Sequence, residues 1–362
     1  MVMDTLRVGI IGVSAERGWA RESHVPAVRA VPGLELAAVA TQTQQAADAA
    51  GVAFGVDRAY GDAADLIADP DLDIVTVAAS VPAHHDLIIA ALQAGKHVLT
   101  EWPVGVSTAQ TEQIAAVSAR AGLKTAVGLQ ARRNRAALHA AGLISSGAIG
   151  RVLTATVYSA TAGFGRTVSE GELYLEDPAT AMNLLTIQLA HTVDVAVLLA
   201  GPLTSVAALT TIQYPDLQVG APARPHQRTI PDHALVHGRL ASGGALSVQV
   251  AGGRPADDTP FRMDIVGADG VLTLTGGAPR GFQSGRLRLT LNGALVAVDD
   301  QDTRELPDSV VNVAGVYTAL REDVLHATST APDFDHAVHL AHLIDDIGTA
   351  AATGHTTTPT AD

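Results

Sequence analysis

The stretch Arg7–Val28, RVGIIGVSAERGWARESHVPAV, decides how the chain is read. Its first residues, RVGII, are apolar enough for a strand buried on both faces, and Gly12 follows at once. A helical pattern then begins within a few residues. A strand, a glycine turn and a helix N-terminus gather backbone amides at one point, which is the arrangement that accepts a dinucleotide pyrophosphate. The glycine fingerprint is altered, however: Ser14 stands where a second glycine is usual, and Gly18 comes later than the third. An ordinary strand–helix turn has the same pattern, and the segments that follow must separate the two readings.

Those segments keep the rhythm of a parallel α/β sheet. Strands are expected at Leu34–Ala40, Asp73–Ala78, His97–Thr100 and Thr125–Leu129. Helices fall between them, one over about Ala83–Ala94 closing at Gly95, another opening on the capping box Ser107-Thr-Ala-Gln and stopping at Gly122. After about residue 150 the rhythm changes to successive strands with Gly- or Asp-containing turns: Arg151–Ala160, Ser205–Gln213, His233–Leu240, Ala245–Ala251, Arg262–Gly267, Val271–Thr275, Leu287–Leu291 and Ala294–Val298. Strands without intervening helices indicate an antiparallel sheet. Helices over about Val311–Ala327 and Asp335–Ala351 close the pattern, and Tyr214–Pro231, with four prolines, is expected as a loop. The fold class is therefore an α/β Rossmann domain, 1–128, followed by an α+β domain with an open-faced, mostly antiparallel sheet, 129–362.

Charge and composition narrow the partners. With 37 acidic and 23 basic side chains the formal charge is −14, which disfavours nucleic acid. There are no cysteines, so disulfides and thiolate chemistry are excluded. No apolar run is expected to reach the roughly 18 residues of a membrane span, and the opening residues lack a secretory pattern; a cytoplasmic protein with a small-molecule substrate is expected. His336, His339 and His342 recur at three-residue spacing, but an amphipathic helix with polar histidines explains them, and no metal site is expected. The second strand ends in Thr41-Gln42-Thr43, with no acid before Asp48 to hold a ribose 2′-hydroxyl. NAD and NADP both remain open, with Arg17 and Arg21 as the arginines available to a 2′-phosphate.

Several blocks together resemble one family. Ser80-Val-Pro-Ala-His-His85 precedes ALQAGKHVLTEWPVGVS, and a strand carrying VGLQARRNRA follows. RVLTATVYSA and FRMDIVGADGVLTLTG look like the sheet strands of the same family, the Gfo/Idh/MocA oxidoreductases. The insertion SAERGWA resembles the branch that includes a yeast galactose-regulon repressor, a regulator that binds the dinucleotide. The resemblance implies a dinucleotide site built from Gly12, Ser14, Ala15, Gly18, Trp19, Thr41, Ser80, Pro82, His85, Glu101 and Trp102. It also implies pairing of subunits through the second-domain sheet, as a homodimer or homotetramer.

The chain departs from the family at two places. The family lysine between Glu101 and Pro103 is replaced by Trp102, which stacks but has no titratable proton. The family aspartate four residues before the matching His191 is replaced by Ile187. Asp177-Pro178 is expected to start the helix that carries His191. His191 is then the candidate acid/base, and Asp194, three residues on, either orients its ring or is a surface partner. Trp102, Gln130, Arg132, Asn134 and Asp194 are candidate substrate contacts, with Tyr174 a candidate replacement proton donor. The expected function is NAD(P)-dependent hydride transfer on a sugar, cyclitol or related polyol; the alternative is a non-catalytic dinucleotide-binding regulator.

Overall fold

The computed structural model describes residues 5–359, and the chain divides into two compact units, Met1–Gln130 with Ser309–Val338, and Ala131–Asp308 with His339–Asp362. In the first unit β1 (Leu6–Ile11), β2 (Leu34–Ala40), β3 (Arg58–Tyr60), β4 (Ile74–Val77), β5 (His97–Thr100) and β6 (Thr125–Val127) form one parallel sheet. Their order is β3-β2-β1-β4-β5-β6, so the direction of winding reverses between β1 and β4. The strand that sequence reading lacks is β3. It is a short edge strand with no apolar run, held instead by Arg58 on the carboxylates of Asp69 and Asp71 and by the Tyr60 hydroxyl on Asp69.

The helix Thr108–Ala121 forms where its caps predict. Ser107 Oγ accepts from the Gln110 amide at 3.3 Å, and Gly122 ends the helix at a φ of 66°. The reciprocal half of the capping box is displaced by one residue, because Gln110 Oε1 accepts from the Val106 amide. The expected division at residue 128 leaves 309–338 in the second domain; in the structure they pack in the first unit. The reason is the apolar stripe of the helix Asp308–His326, which buries Val313, Val316, Tyr317 and Leu320. Past that helix, the Pro332 carbonyl accepts from Val127 and so covers the edge strand β6.

In the second unit the strands are β7 (Val152–Ala160), β8 (Thr167–Val168), β9 (Leu203–Thr211), β10 (Asp216–Val219), β11 (Arg224–Gln227), β12 (His233–Leu240), β13 (Ala245–Ala251), β14 (Pro260–Gly267), β15 (Val271–Gly277), β16 (Leu287–Leu291) and β17 (Ala294–Leu295). Eight of them make a sheet in the order β17-β16-β15-β14-β7-β13-β12-β9, antiparallel throughout except for the parallel pair β7–β13. Helices Arg135–Ser145 and Ala190–Ala200 cover one face. Strict alternation in β13, where Leu246, Val248 and Val250 are buried and Ser247 and Gln249 exposed, leaves the other face open.

Three expectations are corrected here. The proline-rich stretch is not a loop, because β10 and β11 pair as a hairpin and β10 continues onto β8. Its base is fixed by Arg228, fully buried, which donates to both carboxylate oxygens of Glu176, to Asp232 and to the carbonyls of Phe164 and Gly165. Next, Asp177 caps only the short turn Pro178–Thr180, which ends at Ala181 with a φ of 54°. The helix itself is capped by Asn183, whose Oδ1 accepts from Leu185 and Thr186. Finally, Pro178–Ala200 is long and apolar enough to cross a membrane by length and composition, contrary to the expected absence of such a run. Most of it is buried in the core of this unit, as befits a helix apolar on nearly all sides.

Candidate functional site

Candidate residues of the first unit gather at the carboxyl ends of its strands, where open α/β sheets bind ligands. Gly12 lies just past β1 with a φ of 91°, and a Cβ there would stand 2.7 Å from the Ala79 nitrogen and 2.8 Å from the Ala78 oxygen. The turns after β1 and β4 thus touch at the reversal point, and only glycine fits. Gly18 has a φ of 102° and open space where its Cβ would be. A bare turn at the switch point, followed by an unobstructed loop into a helix that starts at Ala20, fits a dinucleotide pyrophosphate.

The loop is held by its own contacts. Ser14 Oγ accepts from Glu16, the Ala15 carbonyl accepts from the Arg21 guanidinium at 2.6 Å, and the Trp19 carbonyl accepts from Ser23. Arg21 also lies over the Phe54 ring, so its guanidinium is already engaged twice. At the end of β2, Thr41 Oγ1 donates to the Thr43 carbonyl, while Thr43 caps the next helix. Asp48 accepts from Gln44 within that helix.

Past β4, the Ser80 carbonyl accepts from Ala83 in a turn that contains Pro82. His85, expected in the dinucleotide site, is partly exposed and lies 2.8 Å from Asp86 and 3.2 Å from Gln113. The buried ring of the pair is His84, whose nitrogens lie 2.9 Å from the Pro103 carbonyl and 3.0 Å from that of Ala79. It ties the loop after β4 to the loop after β5. Burial pushes this imidazole below its ordinary range, against the opposing pull of the two carbonyls and of Glu101.

Trp102 is 7% exposed and so is mainly packed. Beside it lies a network that sequence reading missed. His24 Nε2 is 2.7 Å from Glu101 Oε1, His24 Nδ1 is 2.9 Å from the Tyr317 hydroxyl, and that hydroxyl is 2.9 Å from Thr76 Oγ1. His24, Tyr317 and Thr76 are wholly buried. The two rings are 293 positions apart in sequence, and no spacing rule connects them. The one available signal was a histidine and a proline inside the helix after the first turn, at His24 and Pro26.

In the second unit, His191 is buried at 3% exposure on the core helix. Asp194 is buried as well, not a surface residue, and its Oδ1 accepts from Arg132 at 2.9 Å. Two residues expected to touch substrate are thus an ion pair with each other. Asn134 caps the helix Arg135–Ser145 through Oδ1 and donates from Nδ2 to the Gly285 carbonyl, which gives it a structural task. Gln130, at the end of the first unit, is buried. Tyr174 is 43% exposed; desolvation and neighbouring Glu172 hold its hydroxyl above the ordinary range, so it stays a phenol at neutral pH.

Residues 6–129 match the family described as "Oxidoreductase family, NAD-binding Rossmann fold", and residues 136–276 match "Gal80p, C-terminal domain". Residues 6–129 are thus a Gfo/Idh/MocA NAD-binding domain. This NAD-binding Rossmann domain is in keeping with the bare turn at Gly12 and with the expected cofactor class, NAD or NADP. Dehydrogenase aclE of Aspergillus oryzae is 29% identical over 287 residues, 75% of this chain and 77% of that protein. The galactose/lactose metabolism regulatory protein GAL80 of Saccharomyces cerevisiae is 25% identical over 301 residues, 75% of this chain and 67% of that protein. A levoglucosan dehydrogenase solved with NADH and L-sorbose superposes with a TM-score of 0.84, covering 99% of this chain and 100% of that one; at 20% identity it speaks for the fold alone. Dehydrogenases and a regulator therefore both stand among the relatives of this chain.

Proposed function

We propose that the chain is an NAD(P)-dependent oxidoreductase that moves a hydride between the dinucleotide and a sugar, cyclitol or related polyol. The observation that carries this reading is His191, an imidazole held in the core helix of the second unit one turn from buried Asp194, which pairs with the partly exposed Arg132. A core helix gains nothing in packing from a histidine at such a position, whereas an acid/base group near neutrality is what alcohol oxidation needs. The dinucleotide, held at the Gly12 turn, supplies the hydride acceptor. His191 takes the proton of the reacting hydroxyl, and Asp194 keeps Arg132 in place beside it. Trp102, mainly packed, fills the place of the family lysine. A second copy of the chain on the open sheet face is the proposed partner, supported by Leu209 and Leu235, which sit opposite one another on β9 and β12 at 54% and 44% exposure.

The regulator reading has its own support. Trp102 and Ile187 remove two proton-handling positions, and one relative named above is a regulatory protein. A panel of polyols with NAD+ or NADP+, scored by the appearance of reduced dinucleotide, separates the readings. Turnover by the native chain that falls at least about 100-fold in His191→Ala, with dinucleotide affinity kept, is the outcome for an enzyme using a general base. Saturable dinucleotide binding with no turnover across the panel selects the regulator.

A further inference from the structure

The His24–Glu101 pair is not used by the reaction just described, yet its position and environment are specific. Glu101 follows β5, in the half of the sheet beyond the switch point. A doubly wound sheet binds one nucleotide on each half, and the ribose contact at the end of β2 belongs to the adenosine side. The end of β5 therefore lies on the nicotinamide side. The oxidised nicotinamide carries a positive charge and the reduced ring carries none, so a carboxylate there discriminates between the two redox states.

The local structure holds that carboxylate in place. A Cβ on Gly128 would lie 2.7 Å from Glu101 Oε1 and 2.9 Å from Oε2, so the bare glycine at the end of β6 makes its room. Its side chain is 19% exposed, reachable from solvent while Oε1 is bound by a wholly buried ring. The donors and acceptors of the chain fit one arrangement. Burial holds the Tyr317 hydroxyl far above its ordinary range, so it is a permanent O–H. With Glu101 ionised and accepting from His24 Nε2–H, Nδ1 of a neutral ring accepts from Tyr317, and Tyr317 accepts from Thr76. Both hydroxyls can rotate, so Tyr317 can instead donate to Thr76 and accept from a protonated His24. The pair thus tolerates either charge state of the ring. His84 also feels the charge of Glu101, and burial keeps its ring toward neutrality.

We propose that Glu101 is the residue that sets the preference of this chain between oxidised and reduced dinucleotide, and that His24, anchored by Tyr317 and Thr76, is the positioning residue that makes this preference depend on pH. With the ring neutral the pair carries one negative charge and favours the oxidised cofactor. With the ring protonated the pair is neutral and the preference disappears. The inference rests on dinucleotide binding and not on turnover, so it holds for an enzyme and for a regulator alike.

The test is the dissociation constant of NAD+ and of NADH, measured separately by titration calorimetry on the full chain. In the native chain the ratio of NAD+ to NADH constants rises about tenfold as the pH is lowered and the ring gains its second proton. Glu101→Gln weakens NAD+ about tenfold at about pH 8, leaves NADH within about twofold, and flattens the profile. His24→Gln retains a donor to Glu101 but flattens the profile, whereas Tyr317→Phe, which keeps the buried volume, shifts it. A ratio that does not change with pH in the native chain overturns the proposal, as does a Glu101→Gln chain that loses NAD+ and NADH equally. Binding with this pH-dependent ratio but no polyol turnover leaves the proposal standing and removes the dehydrogenase reading. Absence of dinucleotide binding removes both.

Discussion

At the scale of the residue, buried His84 and half-buried His97 are expected to weaken the fold in acid. His97 Nδ1 accepts from the Lys124 amide at 2.9 Å, a bond that needs an unprotonated nitrogen, and burial pushes this ring below its ordinary value of 6.5. His84 is lowered for the same reason. The unfolded chain then binds more protons than the folded one once pH drops below 6.5. Stability from these rings is complete above that value and is lost on acidification toward their lower folded values. The urea midpoint is expected to fall between about pH 7.5 and about pH 5.5, and to fall less in His97→Gln. A midpoint flat across this window contradicts the account. Other single residues show what sequence cannot disclose. His191 was legible as a candidate because it stands where the resembled family carries a histidine, but the burial of Asp194 and its pairing with Arg132 were not, since the partners are 62 positions apart.

At the scale of the element, the legible parts were those with local causes. The strands Leu34–Ala40, His97–Thr100, His233–Leu240, Ala245–Ala251 and Leu287–Leu291 form with the bounds their apolar patterns predict, and Gly122 ends its helix where a left-handed residue is required. The illegible parts were those decided by distant partners. Proline content suggested a loop over 214–231, yet the β10–β11 hairpin forms because Arg228 and Asp232 anchor its base, Asp232 accepting from the Gln213 and Tyr214 amides at 2.8 Å. Removing the guanidinium leaves Glu176 and Asp232 buried without their counter-charge, which costs about 3–5 kcal/mol. Arg228→Met is therefore expected to lower unfolding free energy by roughly that amount in chemical denaturation. A loss below about 1 kcal/mol would mean that the hairpin stands without its anchor. The helix start likewise moved from Asp177 to Asn183, because both residues are good caps and only the packed helix chooses between them.

At the scale of the whole molecule, each unit carries a separable task. The first unit presents the turn at Gly12 and the His24–Glu101 pair at the carboxyl ends of its parallel strands; the second presents His191 on a core helix and an open sheet face. The Rossmann fold was largely readable, because its opening depends on a strand, a glycine and a helix in immediate succession. The acid/base assignment was less so, because positions 102 and 187, where the resembled family carries a lysine and an aspartate, hold Trp and Ile. The central claim is that the phosphates of the dinucleotide lie on the turn that follows β1. Titrating NADH into the native chain and into Ser14→Glu tests it most directly, since Ser14 is exposed and a carboxylate there repels phosphate without disturbing the core. The native chain is expected to bind saturably and Ser14→Glu to bind at least about tenfold more weakly, about 1.4 kcal/mol, with an unchanged circular dichroism spectrum. Equal affinity in the two proteins, or no saturable binding by the native chain, would contradict the account.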